Sequence, residues 1–329
     1  MTRRMVSRTR LWALGSRLSA LVVVLALATA CAPPPTLSTP GSSPTPARSG
    51  RITNHVVIIS LDGLRPDAIA TFGATTLQRL MREGAYAPDA QTILPSTTLP
   101  SHTSMLTGVD PAVHGVTWNT DQVAVRGYVR VPTVFSLARN AGLRTAAFFG
   151  KSKLNHVHSP ATLDYVHSFD SWLPWRLSGL RTARLVGRHL QEARPNLVFV
   201  HLVEADYAGH LFGWMGRLYG NAVRELDAAV AALVVQADTH FGRGQYTLIL
   251  TADHGGHGRG HGTELAEDTT IPWIVWGQGV RSGAPLPFGI RTTDTAATAL
   301  WLLGLPVPSE WSGHPVTQAF DTTMVAPVP

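Results

Sequence analysis

Between Tyr246 and Gly262 the chain reads YTLILTADHGGHGRGHG, placing Asp253, His254, His257 and His261 among five glycines just after a β-forming run. Carboxylate and imidazole together suit zinc or a similar transition metal. Glycine admits the dihedrals needed to bring several side chains to one point. A flexible His-rich turn is the plainer alternative. Two further acids hold comparable positions: Asp62 follows the apolar run His55 to Leu61, and Asp206 follows Leu197 to Leu202. His210 stands four residues beyond Asp206, on the same side of a helical turn if that stretch is helical. In an open α/β sheet the ligand crevice lies outside the carboxyl ends of the strands, so three acids distant in sequence converge at one edge. Together and partly buried they repel one another, which implies cations.

A candidate nucleophile lies in Pro95-Ser96-Thr97-Thr98-Leu99-Pro100. Pro100 suits the first turn of a helix, which puts Thr98 at or just before its N-terminus. There the backbone N–H groups and the helix dipole favour an anion such as phosphate. A threonine hydroxyl is a poor nucleophile at neutral pH, and metal coordination removes the need for a general base. The competing reading makes Thr97 and Thr98 ordinary N-caps.

These residues need a scaffold, and the apolar periodicity supplies one. Strands are predicted at His55 to Leu61, Arg144 to Phe149, Leu197 to Leu202, Tyr246 to Leu250 and Pro272 to Trp276. Helices are predicted at Thr76 to Glu83, Thr133 to Asn140 and Asp294 to Leu303, with a long amphipathic one carrying Val223, Leu226, Val230, Leu233 and Val234. Strands alternating with helices predict an α/β fold with a mostly parallel central sheet flanked by helices. There is no internal repeat.

The first residues read differently. Arg3, Arg4, Arg8, Arg10 and Arg17 precede an apolar run from Leu18 to Ala30, too short to span a bilayer and suited to a signal peptide. The run ends Leu27-Ala28-Thr29-Ala30-Cys31, which resembles a bacterial lipobox around the only cysteine, so residues 1–31 are expected to be a lipoprotein signal. Ordinary cleavage near Ala30 is the alternative. Residues 32–50 are Pro-, Ser- and Thr-rich and read as a linker, leaving 51–329 as the catalytic domain. Removing the five arginines lowers the formal +6 to about +1, so the basic balance does not indicate specific nucleic-acid binding. The only lysines, Lys151 and Lys153, point to gene base composition more than to function.

Four segments resemble the alkaline phosphatase superfamily, and within it the type I phosphodiesterase/nucleotide pyrophosphatase group. They are ISLDGLRPD (Ile59 to Asp67), TTLPSHTSMLTGVDPAVHGV (Thr97 to Val116), EADYAGH (Glu204 to His210) and TADHG (Thr251 to Gly255), in the family's order. The resemblance implies two zinc ions, or another divalent metal. One is held by Asp62, Asp253, His254 and Thr98, the other by Asp206, His210 and either His261 or His257, with His261 favoured by spacing. It implies an asparagine, Asn119, that donates to a phosphoryl oxygen. His102 and His114 receive only packing roles. Leu99 replaces the Phe of nucleotide-preferring relatives and Ser101 an Asn, departures that bear on substrate preference. Trp172, Trp175, Phe212, Trp214 and Tyr219 line a substrate pocket or pack in a core or lid.

The expected activity is hydrolysis of phosphodiester or nucleotide pyrophosphate bonds in a small-molecule substrate, through a phosphothreonine at Thr98. The expected location is extracytoplasmic, with the membrane reached through a lipid on Cys31. A phosphomonoesterase or a phosphonoacetate hydrolase would use the same site. A non-catalytic surface binding protein is the rival from another class.

Overall fold

The computed structural model describes residues 50–169, 179–286 and 288–321. The expected signal peptide with Cys31, the expected linker apart from Gly50, and Trp172 and Trp175 lie outside the described residues. No described helix is long and apolar enough to cross a membrane.

Eight strands form one sheet: β1 (Val56–Leu61), β2 (Ala85–Gln91), β3 (Thr145–Phe149), β4 (Tyr165–Ser168), β5 (Leu197–Leu202), β6 (Thr247–Thr251), β7 (Thr270–Gly277) and β8 (Ala284–Pro285). Their order is β4-β3-β5-β1-β6-β7-β2-β8. The first five in that order run parallel, β7 is antiparallel to both its neighbours, and β8 pairs parallel with β2. The sheet is thus mostly parallel. Every residue of β1, β3, β5 and β6 is buried, as expected of strands covered on both faces. That is why these four read as unbroken apolar runs.

Helices cover the sheet in two groups. Gly179–Ala193, Glu204–Phe212, Arg217–Phe241 and Thr75–Glu83 pack together, as do Thr98–Thr107, Val134–Asn140 and Asp294–Leu302. Thr133 caps its helix through a reciprocal pair with Ser136. The long helix buries Val223, Leu226, Val230, Leu233 and Val234, the stripe legible in the sequence.

β1 sits between β5 and β6, with Leu61 level with Leu202 and Ser60 level with Thr251. The three strands therefore end side by side. Asp62, Asp206 and Asp253 leave those ends, and the sheet gathers them at one edge.

Candidate metal centre and active site

The loops after the three strands are tied to one another before any ligand enters. Asp206 donates its backbone N–H to the carbonyl of Asp62 at 3.0 Å, and Gly63 donates to Asp253 Oδ1 at 3.2 Å. Gly63 has φ +71, and a Cβ there would lie 2.9 Å from Asp206 Cα, so only glycine lets the two loops meet. Its carbonyl accepts from both Trp214 Nε1 and Tyr219 Oη at 2.9 Å. These two aromatics are buried packing elements, whereas Phe212 is largely exposed.

Asp62, Asp206 and Asp253 are buried carboxylates, each with one oxygen, Asp62 Oδ1, Asp206 Oδ1 and Asp253 Oδ2, lacking a hydrogen-bond partner. Burying an unpartnered carboxylate oxygen is costly, so the arrangement fits a cation. Three imidazoles face these oxygens in a shared pattern. His254 donates Nδ1–H to Gly255 O (2.8 Å), His261 to Ser96 O (2.9 Å) and His210 to Arg259 O (3.0 Å). The hydrogen-bond network so assigns each tautomer and leaves Nε2 turned to the centre, as metal-ligating histidines are held.

His254 Nε2 lies 3.4 Å from Asp62 Oδ1 and 3.3 Å from Asp253 Oδ2. Asp206 Oδ1 lies 3.3 Å from His210 Nε2 and 3.6 Å from His261 Nε2. The Nε2 atoms of His210 and His261 approach to 3.2 Å, a contact that requires a proton or a cation between two lone pairs. Asp206, His210 and His261 form one group able to hold a metal, and Asp62, Asp206 and His254 another. Asp253 stands beside the second group through His254.

The charges respond to this crowding. Burial raises Asp62, yet the Lys151 ammonium and His201 hold it well below the usual carboxylate range. Burial and the neighbouring Asp62 push Asp253 well above that range. Burial and His261 lower His254 to about 3, so it is a neutral imidazole at neutral pH. The Asp206 carboxylate raises His210, while burial lowers His261.

Thr98 is the first residue of the helix Thr98–Thr107, and neither it nor Thr97 makes a side-chain cap. The N-cap alternative therefore has no hydrogen bond behind it. Thr98 Oγ1 lies 3.5 Å from His254 Nε2. His102, one turn on, donates Nδ1–H to the Thr98 carbonyl and accepts from Ser60 Oγ, each at 2.8 Å, which fixes the start of the helix to β1. His114 accepts from Val116 N–H and packs, as expected.

Asn119 Oδ1 accepts from Leu99 N–H (2.9 Å) and from Lys153 Nζ (3.0 Å). One of the helix-terminal N–H groups expected to face an anion is thereby occupied by this side chain. The other Asn119 amide atom, Nδ2, is left as a donor.

The two lysines are the sequence reading's chief omission. Lys151 Nζ lies 2.6 Å from Asp62 Oδ2 and 2.5 Å from Asp206 Oδ2, and Lys153 holds Asn119. Burial and the nearby Lys151 lower Lys153 to about 8. His201, also missed, donates Nε2–H to Asp62 Oδ2 at 2.8 Å. Its place inside an apolar strand gave no signal. The lysines did offer one, because they follow β3 at the same sheet edge as the acids.

A cavity of about 470 Å³ opens over these groups, lined by Thr98, Asn119, Lys151, Lys153, Phe169 and Tyr207 among others. Leu99 is fully buried and does not line it. Leu99 itself thus offers a substrate in this cavity no contact. Ser101 donates to the Asp253 carbonyl at 2.7 Å and supports that loop. His257 pairs with Asp268 at 2.8 Å rather than with the centre.

Glycine serves this loop in two ways: Gly258 (φ +52) and Gly262 (φ +106) take the left-handed dihedrals expected of it, whereas two others are required for space. Gly255 and Gly256 have no positive φ; a Cβ would meet Glu267 O at 2.0 Å and the Trp214 ring at 2.2 Å. Close approach, not unusual dihedrals, demands glycine there.

The segments that build this centre fall within a wider match to known proteins. GPI ethanolamine phosphate transferase 1 of Saccharomyces cerevisiae is 25% identical over 293 residues, covering 77% of this chain and 30% of its own. Human ectonucleotide pyrophosphatase/phosphodiesterase family member 1 is 23% identical over 227 residues, covering 63% and 24% respectively. This chain spans about a third of the length of the first of these relatives. An inactive variant of murine ectonucleotide pyrophosphatase/phosphodiesterase 5, in complex with AMP, superposes with a TM-score of 0.70 at 15% identity, covering 82% of this chain and 100% of that one. At that identity the likeness is one of fold. Residues 56–259, from β1 into the glycine loop, match the model of one family, and the chain belongs to it: the type I phosphodiesterase/nucleotide pyrophosphatase family of the alkaline phosphatase superfamily.

Proposed function

We propose that the protein is a two-metal phosphodiesterase in which Thr98 attacks phosphorus. One observation carries the reading: three unpartnered carboxylate oxygens and three Nε2 atoms converge beside a threonine at a helix start. Asp62, Asp253, His254 and Thr98 would hold one ion, and Asp206, His210 and His261 the other. Such ions, zinc by donor chemistry, supply Lewis acidity that ionises a coordinated hydroxyl and stabilises a departing alkoxide. Thr98 Oγ1 forms its bond to phosphorus as the bond to the leaving group breaks on the opposite side. Water then cleaves the phosphothreonine. Asn119 Nδ2 donates to a nonbridging oxygen, where negative charge needs a fixed partner.

A diester brings a second substituent that must find room. Phe169 and Tyr207 offer aromatic walls in the same cavity, a place for a nucleoside or another flat group. The AMP named with the murine relative supports a nucleotide-type substrate. Turnover of an aryl diester, an aryl monoester and a nucleotide ester with matched leaving groups tests this. The diester should exceed the monoester in kcat/KM, and Asn119→Ala should lower that value by roughly 10²–10³. A monoester preference would move the protein to the phosphatases.

We further read residues 51–329 as the catalytic domain of an extracytoplasmic lipoprotein anchored at Cys31. The Leu27 to Cys31 pattern supports this. An unmodified Cys31 at the mature N-terminus, seen by mass spectrometry, would reject the anchor.

A further inference from the structure

Two lysines face the cavity, and they are in opposite states. Lys151 is neutralised by two carboxylates at 2.6 and 2.5 Å. Lys153 has no carboxylate within ion-pair distance among the described residues. Its contacts are both to Asn119, with Oδ1 at 3.0 Å and the backbone carbonyl at 3.3 Å. An ammonium carries three N–H donors, so one remains without a protein acceptor. A cation kept in a recess without a counter-charge at contact distance is costly unless a ligand supplies one.

The location of that donor is set by a short chain of contacts. The N–H of Leu99, on the peptide link to Thr98, reaches Asn119 Oδ1, and Asn119 Oδ1 reaches Lys153 Nζ. Lys153 is thus two hydrogen bonds from the backbone of the attacking residue. Because Oδ1 receives two donors, the Asn119 amide cannot flip without losing both, and Nδ2 stays on the free side. Lys153 therefore orients one donor and supplies another.

We propose that Lys153 is the second fixed donor to the phosphoryl group, its ammonium meeting a nonbridging oxygen beside Asn119 as Thr98 attacks. This rests on the phosphodiesterase reading above. The lysine keeps its proton throughout and forms no covalent bond; it contributes charge that strengthens its hold as negative charge gathers on that oxygen. The helix Thr98–Thr107 carries no arginine or lysine of its own. Lys153 supplies the missing charge from a distant segment.

The rival role is specificity, with the ammonium binding an acidic group on the second ester substituent. The two roles separate in the metal-loaded full chain. Two aryl diesters with one leaving group are compared, one with a methyl substituent and one with a carboxyalkyl substituent. Lys153→Met should lower kcat on both by a similar factor, roughly 10²–10³ as for other oxyanion donors, with a smaller change in KM. Lys153→Arg should recover a good part of the loss on both. A loss confined to the carboxyalkyl diester overturns the proposal, as does a change under about threefold on both, small against the usual donor effect.

Calorimetry with inorganic phosphate gives a readout independent of turnover. Its affinity should fall about tenfold or more in Lys153→Met, the scale of one charge-assisted hydrogen bond, and return in Lys153→Arg. Unchanged phosphate affinity in a variant that retains its metal overturns the assignment. If the parent chain turns over no phosphate ester while phosphate binding still weakens in Lys153→Met, the phosphodiesterase reading fails and the donor assignment stands.

Discussion

The rings of His254 and His261 stack with centroids 3.6 Å apart and planes inclined by 12°. Two imidazolium ions would repel at that separation, so at most one ring carries a charge, and both Nε2 atoms face Asp206 Oδ1, at 4.0 and 3.6 Å. His257 belongs to a different arrangement, bound to Asp268. We expect His261→Ala to lose about one equivalent of metal and most activity, and His257→Ala to lose far less of each, within the roughly 10–100-fold usual for outer partners. Elemental analysis of the purified variants decides this, and the reverse order would reject His261.

Thr98 is the proposed nucleophile, and its variants test that role. Thr98→Ala should lower kcat by at least about 10³, since the attacking oxygen is gone, while Thr98→Ser keeps a measurable fraction. Thr97 Oγ1 is also buried and without a partner. Activity surviving Thr98→Ala but not Thr97→Ala would shift the nucleophile by one position.

Lys151 is the counter-charge for Asp62 and Asp206 within the protein itself. Its side chain is 10% exposed, so removing it leaves carboxylates buried without an adjacent ammonium. Breaking a buried pair from one side costs about 3–5 kcal/mol. Metal-free Lys151→Met should therefore melt well below the metal-free parent, with added zinc narrowing the gap. Equal melting temperatures without metal would contradict the role.

Lys153 gives the pH dependence its sign. Burial and Lys151 lower its ammonium to about 8, against upward pulls from Asp62, Asp206 and Asp253. The charged form, needed at the phosphoryl oxygen, prevails below that value and is lost above it. The kcat/KM profile should fall as pH rises through about 8, and in Lys153→Arg the fall should move to higher pH, because arginine stays charged. An unshifted alkaline limb would assign it to another group.

The sequence made most of the fold legible where one physical signal dominated. β1, β3, β5 and β6 are fully buried, so their residues had to be apolar in unbroken runs. β2 escaped because Pro88 and Asp89 interrupt it, where its register with β7 shifts between Ala87 and Ala90. The helix Gly179–Ala193 buries Ala183, Val186 and Leu190, a stripe of helical spacing too sparse in large residues to be noticed. In the site, Asp62, Asp206 and Asp253 were legible because an acid after an apolar strand is conspicuous. Lys151 and Lys153 obey the same rule after β3, but a charge after a strand also reads as solvated. His201 was hidden by the apolar strand around it.

The contact between Gly63 and Asp253 spans 190 residues of chain, and that between Thr98 and His254 spans 156. A nascent chain lacking β6 has Asp62 and Thr98 but neither Asp253 nor His254 to complete their surroundings. Metal affinity built from such distant pieces arises only as folding finishes. An ion held in the proposed site would then be drawn from the metals present where the last third of the chain folds, not from those present where its first residues were made.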